Sequence, residues 1–349
     1  MPRSLLRPIR PPIGSARSRA GARALPRADA RTLALVSVGL VVSAGFTYLA
    51  LRNVRLHDVW TGLQESDYWW VVPSVGLLLV ALPIRALRWQ FLFAKPTRPP
   101  FRPVLGATTL GQFFNNVLPA RAGEAARVIA LNRTARTSRA EIVATVVVER
   151  LFDVLALLVV LFVLLPWLPH VTWLRGAAVL AIALAAATLA AVVLLARYGD
   201  RPLRALLRPL ARLPFLSLEH TDRAAASLVR GAASLRDPWL ALVGFGLTVL
   251  SWALLSLSTW VLMLGFDLHL SVLAGALVTV AVGLSLVLPS STAAVGLFEA
   301  ATIVALKAYD VPKAEALTYA LVLHAVNFFP YVATGAAVLQ AHAFSWRRR

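Results

Sequence analysis

The chain has 349 residues, of which 59% are hydrophobic and only 15% are charged. With a mean hydropathy of +0.73, this composition excludes a soluble globular domain and is typical of a polytopic helical membrane protein. The absence of cysteine excludes a disulfide framework, a thiolate metal site and a cysteine nucleophile.

The predicted elements begin with an Arg-rich tail, residues 1–32, which we expect to be disordered and cytoplasmic. A transmembrane domain follows over residues 33–341, and residues 342–349 form a basic C-terminus. A spanning helix needs about 17 to 25 apolar residues. Six apolar runs fit that length, and they are residues 33–51, 68–86, 140–165, 174–196, 238–263 and 314–341.

Two further apolar segments are each interrupted by a proline, Pro119 in one and Pro289 in the other. The pieces on either side of the prolines are residues 103–118, 122–131, 271–288 and 291–308. These pieces are too short or too polar to span comfortably, so we predict two re-entrant helical hairpins that each enter and leave on the same side. The alternative is that the pieces are true spans.

Three predicted spans separate the two hairpins, so the hairpins should dip into the membrane from opposite sides. Each hairpin also carries Val-Leu-Pro, then a glycine and a glutamate. The predicted fold is therefore an all-α polytopic membrane protein with six full spans and two re-entrant hairpins, arranged as an inverted repeat with halves at residues 68–165 and 238–341. Chance similarity between two proline-broken hydrophobic segments is the alternative.

Most of the 35 Lys and Arg residues then fall on one face, together with both termini. By the positive-inside rule this face is cytoplasmic, which explains the net charge of +19 through membrane orientation rather than nucleic-acid binding. The connector at residues 197–237 belongs to the same face. Its arginines recur every three to four residues with leucines on the opposite side, which predicts an amphipathic interfacial helix.

The predicted span at residues 140–165 carries Glu149, Arg150 and Asp153 near its middle. Each would cost about 2.5–3.5 kcal/mol if it faced lipid, so all three should face inward. They form either a structural ion-pair cluster or a site that handles substrate or protons. The surplus negative charge needs a cation, such as Arg121, Arg127 or Arg85.

After the first break, Arg121, Glu124 and Arg127 recur every three residues and share one helix face. Two guanidinium groups beside one carboxylate leave spare positive charge, and guanidinium pairs bidentately with phosphate. The preceding Asn115 and Asn116 either add polar contacts or cap the turn.

After the second break, Glu299, His324 and Asn327 supply a carboxylate, an imidazole and an amide. This set suits a proton-linked step and is equally compatible with hydrogen bonding between helices.

These motifs resemble the flippase-like transmembrane region of lysylphosphatidylglycerol synthases, over most of residues 33–341. The resemblance is carried by Arg85-Ala86-Leu87-Arg88-Trp89, by Gly111 to Glu124 with Arg127, by Glu149-Arg150 with Asp153, and by Gly296-Leu297-Phe298-Glu299-Ala300. It implies a bacterial or archaeal inner-membrane protein that moves a lipid or lipid-linked headgroup between leaflets, here without an aminoacyl-transfer domain. Ala293 and Ala294 stand where such proteins often have a glycine pair.

We therefore predict a lipid translocase for an anionic phospholipid or polyprenyl phosphate, without metal or cofactor. The predicted substrate-binding residues are Arg121, Arg127, Arg150, Asn115, Asn116 and Arg88. The residues predicted to gate the site or balance its charge are Glu124, Glu149, Asp153, Glu299, His324 and Asn327. A lipid-modifying enzyme is a possible partner. The alternative function is a membrane-embedded transferase with a polyprenyl-phosphate-linked donor, in which a Glu or Asp acts as base.

Overall fold

The computed structural model describes residues 30–118, 122–135, 137–167, parts of 182–198, 237–286 and 292–347. Every regular element in these ranges is helical, which confirms the predicted all-α class. Most of the N-terminal tail, of the span at residues 174–196 and of the connector lies outside the described residues, and so does Arg121.

Two groups of helices are described, on either side of the connector. The first contains α1 (Ala30–Leu51), α2 (Leu56–Glu65), α3 (Val71–Phe91), α4 (Phe101–Val117), α5 (Gly123–Ala135) and α6 (Arg139–Leu164). The second contains α7 (Pro238–Met263), α8 (Val272–Ser285), α9 (Leu297–Lys307) and α10 (Lys313–Arg347). Local sequence sets where helices begin: the side chain of Asp237 accepts a hydrogen bond from the Trp239 amide at 3.1 Å, and Pro238 occupies the first helical position of α7.

Within the described residues, three helical stretches are long and apolar enough to cross a bilayer, by length and composition. They are Tyr68–Phe91, Pro238–Phe266 and Lys313–Ala341, and they coincide with three of the six predicted spans. Helix α6 has 26 residues and therefore also has the length of a span, with three ionisable residues near its middle.

The helices end at both predicted breaks, with α4 and α5 on either side of the first and α8 and α9 on either side of the second. Helices α4 and α5 are antiparallel, because the Gly123 amide donates to Oδ1 of Asn115 at 3.0 Å while Gly111 lies against Arg127 one turn further along. At 1.5 Å per residue, α4 and α5 extend only about 25 and 20 Å. Both are shorter than a hydrocarbon core of about 30 Å.

Helices α3 and α7 also run antiparallel and contact each other along their whole length. The contacts join Asp67 to Gly265, Ser74 to Ser258, and Lys95 to Asp237. Because the two helices are antiparallel, the end of α3 that carries Arg88 lies beside the beginning of α7.

The helix contacts of α3–α6 recur in α7–α10. Within each group, successive helices contact one another, so that α3–α4, α4–α5 and α5–α6 correspond to α7–α8, α8–α9 and α9–α10. Between the groups, the α4–α10 contact corresponds to α8–α6, and α6–α7 corresponds to α10–α3. The contacts among these eight helices are therefore unchanged when α3–α6 and α7–α10 are exchanged, with the α3–α7 pair at their centre. The contacts of α1 with α9 and of α2 with α10 have no counterpart among the described residues.

Candidate functional site

A cavity of about 240 Å³ lies between the two groups of helices. On the side of α3–α6 its charged lining is Arg85, Arg88, Glu124, Arg127, Glu149, Arg150 and Asp153, with Asn115 and Asn116 beside them. On the side of α7–α10 the polar lining is Ser258, Thr259, Thr279, His324, Asn327 and Tyr331. The cavity is thus strongly charged on one wall and weakly polar on the other.

Arg88 links the two buried carboxylates of α6. Its side chain is only 2% exposed, and it donates to Oδ1 of Asp153 at 2.5 Å and to Oε1 of Glu149. The indole Nε1 of Trp252 donates to the same Asp153 oxygen at 3.1 Å. Burial of Glu149 and Asp153 is tolerated because each carboxylate is paired and hydrogen-bonded.

Arg127 of α5 forms the second link. It donates to Oε2 of Glu149 at 2.9 Å, and its guanidinium lies over the ring of Trp89 at 4.7 Å. The Trp89 indole is held by a hydrogen bond to Thr145 Oγ1 at 3.1 Å. Nη2 of Arg127 lies 2.7 Å from Oε2 of Glu124, close enough for an ion pair but not aligned as a hydrogen bond.

Arg150 differs from the other two arginines because half of its side chain, 49%, is exposed. Its nitrogens lie 3.3 Å from Glu124, 3.3 Å from Glu149 and 3.4 Å from Asp153. These distances are longer than those of the buried pairs and describe weaker contacts. Arg150 is therefore the arginine of this cluster that an incoming anion can reach and redirect.

Arg85 adds a positive charge that the cluster does not neutralise. Arg88, Arg127 and Arg150 are balanced by three carboxylates, whereas Arg85 has no ion pair with any described residue and packs over the Trp252 ring at 5.4 Å. Nε of Arg88 and both Nε and Nη2 of Arg127 are buried without a hydrogen-bond acceptor among the described residues. With Arg85, this wall carries four guanidinium groups and three carboxylates.

The two asparagines hold the first hairpin. Asn115 accepts from the Gly123 amide across the α4–α5 turn, while the Asn116 side chain donates to the Gln112 carbonyl at 2.9 Å within its own helix. A Cβ at Gly123 would lie 2.5 Å from Oδ1 of Asn115, so glycine is needed for this close approach. Both asparagines line the cavity, and Asn115 is the one that caps the turn.

On the opposite wall, His324 of α10 lines the cavity, and its Nδ1 lies 2.5 Å from Oε1 of Glu299 of α9, which is buried and is not among the lining residues. Glu299 also accepts from the Gly296 amide at 2.7 Å and thereby caps the start of α9. The Phe298 ring stacks on the imidazole at 4.6 Å. Asn327 lines the cavity but donates to the Leu323 carbonyl of its own helix at 2.9 Å.

Ala293 and Ala294, just after the second break, both have left-handed backbone conformations, with φ of 55° and 59°. An alanine in this region is strained by its Cβ, whereas a glycine is not. The glycine pair that the resemblance leads one to expect at these positions therefore has a direct conformational explanation.

The structure thus brings Arg88, Glu124 and Arg127 to the three ionisable residues of α6, as charge balance required. Arg85, which the sequence offered as a counter-charge for α6, lines the cavity but forms no ion pair with any described residue. Arg85 precedes Arg88 by three residues, so the two arginines share the face of α3 that lines the cavity. Sequence reasoning did not assign a role to Trp252, which anchors Asp153. Trp252 has no comparable pattern, since α7 is apolar all round.

A family model described as the lysylphosphatidylglycerol synthase TM region matches residues 36–335. The match covers most of the chain and confirms the resemblance seen in the motifs. No curated protein and no solved structure matches the chain.

Proposed function

The chain belongs to the lysylphosphatidylglycerol synthase transmembrane-region family, whose members are membrane proteins related to lipid handling, and from its cavity we propose that it is a lipid translocase. The proposed substrate is a phospholipid or a lipid-linked headgroup that carries a phosphate. The proposed location is the inner membrane of a bacterial or archaeal cell, with both termini in the cytoplasm.

The observation that carries this proposal is the surplus positive charge inside a cavity between two groups of membrane helices. A phosphate brings the negative charge that would balance Arg85, and its oxygens can accept hydrogen bonds from the guanidinium groups of Arg85 and Arg150. A neutral sugar could accept hydrogen bonds from these groups but would not balance their charge, and a hydrocarbon would do neither. The charge of the wall therefore favours a phosphate-bearing ligand.

Within this proposal the arginines divide into two roles. Arg88 and Arg127 are buried and paired with the carboxylates of α6, so their side chains stay in place when the ligand binds. Arg85 and Arg150 face the cavity and bind the phosphate, and Arg150 then exchanges its weak contact with Glu124 for the ligand. Arg121 remains a predicted ligand that lies outside the described residues.

The arrangement of helices supports alternating access. Short antiparallel helices such as α4 and α5 suit a re-entrant hairpin, because irregular backbone at membrane depth is tolerated where it lines a cavity. The exchangeable contact network is what two inverted repeats produce, and the cavity lies between them. Rocking of α3–α6 against α7–α10 would open the cavity first to one leaflet and then to the other.

The proposal is tested by leaflet-resolved quenching of fluorescent phosphatidylglycerol and polyprenyl phosphate in liposomes that contain wild type or Arg85→Gln. Loss of one charge-assisted contact, about 1.5–3 kcal/mol, should slow translocation by about 10- to 100-fold. Arg55→Ala is the matched control, because Arg55 is an exposed arginine outside the cavity.

Three results would count against the proposal. Wild type that moves neither lipid overturns translocation, and the same liposomes should then be assayed for headgroup or glycosyl transfer. Equal rates in wild type and Arg85→Gln overturn the role of Arg85. An equal loss in Arg55→Ala would show that the effect does not come from the cavity.

A further inference from the structure

A second concave site lies on the outside of the helix bundle, where α3, α4 and α10 meet. This open groove has a mostly apolar lining, with Leu82, Leu105 and Val338 among its residues. Gly106 lies on its floor, and a Cβ built there meets nothing within 4 Å. A side chain at position 106 would therefore extend into the groove without a clash.

The groove covers a short stretch of three helices. It extends along α4 from Arg102, in the first turn, to Thr109. Seven residues of helix rise about 10 Å, which is less than half of a hydrocarbon core of about 30 Å. Its walls come from α3 and α10, which are two of the helices long and apolar enough to span. The groove can therefore hold part of an acyl chain but not the full depth of a leaflet.

Arg102, in the first turn of α4, lies at one end of the groove. Its side chain is exposed and has no ion pair with any described residue, and every other residue that lines the groove is uncharged. The N-terminal end of α4 adds its own positive dipole there. An apolar groove with a cation at the level of the helix end complements one molecule in particular, a lipid with an acyl chain and a phosphate.

Only one helix seam separates this groove from the cavity. Thr108 of α4 lines the cavity while its neighbour Thr109 lines the groove, and on α10 the corresponding residues are Tyr331 and Thr334. At the seam, Gly335 lies so close to α4 that a Cβ there would be 2.8 Å from Cγ of Phe113. Gly335 therefore leaves no room for a side chain between α10 and Phe113, which makes this point of the seam closely packed.

We propose that this groove binds an acyl chain of a phospholipid, with the phosphate at Arg102, and that the lipid passes from there to the cavity across the α4–α10 seam. The proposed binding site depends only on the groove and on Arg102. The passage to the cavity rests on the proposed translocase function.

Binding is tested with full-length protein in phosphatidylcholine liposomes that contain phosphatidylglycerol with a diazirine in its acyl chain. Illumination should attach this lipid to peptides from α4 and α10. Gly106→Phe fills the groove and should reduce this labelling by about tenfold or more. Gly246→Phe is the matched control, since Gly246 is an exposed helical glycine on α7 that also has nothing within 4 Å.

The phosphate contact is tested with the same diazirine chain on diacylglycerol, which lacks the phosphate. Arg102→Gln should reduce labelling by phosphatidylglycerol several-fold, about 1 kcal/mol or more at an interfacial site, and should leave labelling by diacylglycerol unchanged. Equal labelling of wild type and Gly106→Phe by both lipids overturns the groove as a binding site.

Translocation measured in the same liposomes distinguishes lipid binding in the groove from passage of the lipid to the cavity. Loss of both labelling and translocation in Gly106→Phe, with Gly246→Phe normal, supports the whole proposal. Loss of labelling alone overturns passage through the seam but leaves both the groove site and the translocase. Normal labelling in wild type that does not translocate overturns the translocase and leaves the groove site.

Discussion

The two walls of the cavity are built from corresponding helices but differ in charge. On the first wall, Glu124 of α5 and Glu149 of α6 are 25 residues apart, and on the second wall Glu299 of α9 and His324 of α10 have the same separation. On the first wall the guanidinium of Arg127 lies between the two carboxylates, whereas on the second wall the two side chains touch directly.

The residue three positions after each glutamate explains the difference. Arg127 follows Glu124 on α5, and the fully buried Thr302 follows Glu299 on α9. A threonine cannot bridge to the next helix as an arginine does, so the imidazole meets the carboxylate instead. The comparison teaches that the glutamate after each break, Glu124 or Glu299, is shared by both groups of helices. The arginines that could bind an anion occur on one wall only.

The largest effect is expected on the charged wall. Arg88→Ala removes the buried partner of Glu149 and Asp153, and an uncompensated buried charge typically costs about 3–5 kcal/mol. The midpoint of thermal unfolding in detergent should fall sharply. Arg55→Ala breaks an exposed ion pair with Asp58 and should change stability by less than about 1 kcal/mol. Similar midpoints for the two variants would show that the cluster does not stabilise the fold.

The next effect concerns the turn of the first hairpin. Gly123→Ala places a Cβ against Asn115 and the Gly111 carbonyl, and overpacking of this kind costs about 1–3 kcal/mol. Gly246→Ala, where the Cβ meets open space on a helix, should instead stabilise by about 1 kcal/mol. The unfolding midpoints of the two variants should therefore move in opposite directions, and a shift in the same direction would contradict the close approach of α4 and α5.

A smaller loss is expected on the second wall. Glu299→Ala removes the cap of α9 and the contact with His324, which together are worth about 1–2 kcal/mol. Glu315→Ala, an exposed glutamate in the first turn of α10, is the control and should have little effect on the midpoint. If Glu299→Ala lowered stability as much as Arg88→Ala, the proposed difference between the two walls would not hold.

The smallest effect is a gain of stability. Ala294→Gly relieves a left-handed alanine and should raise the free energy of unfolding by about 1 kcal/mol. Ala300→Gly, the same change inside α9, should lower it by about as much, because glycine weakens a helix interior. Denaturation of both variants beside wild type tests the pair, and destabilisation by Ala294→Gly would contradict the strained conformation.

Sequence reasoning reached the class, the family and the two breaks because each rests on local information. Pro119 and Pro289 interrupt apolar runs, and the helices do end on either side of both. Glu149, Arg150 and Asp153 are too costly to expose to lipid, so a buried partner was expected, and Arg127 was among the candidates. The re-entrant nature of the hairpins and the role of Arg121 remain predictions.

Hydropathy and the spacing of proline and charge were enough to establish a helical membrane protein with ionisable groups turned inward, because burial in a bilayer constrains each residue separately. The pairing of Arg88 with both carboxylates, the anchoring of Asp153 by Trp252 and the groove beside Arg102 came only from the packing of helices distant in sequence. Contacts between α3, α6 and α7 depend on helix orientation and crossing, and no local pattern along a single chain records them.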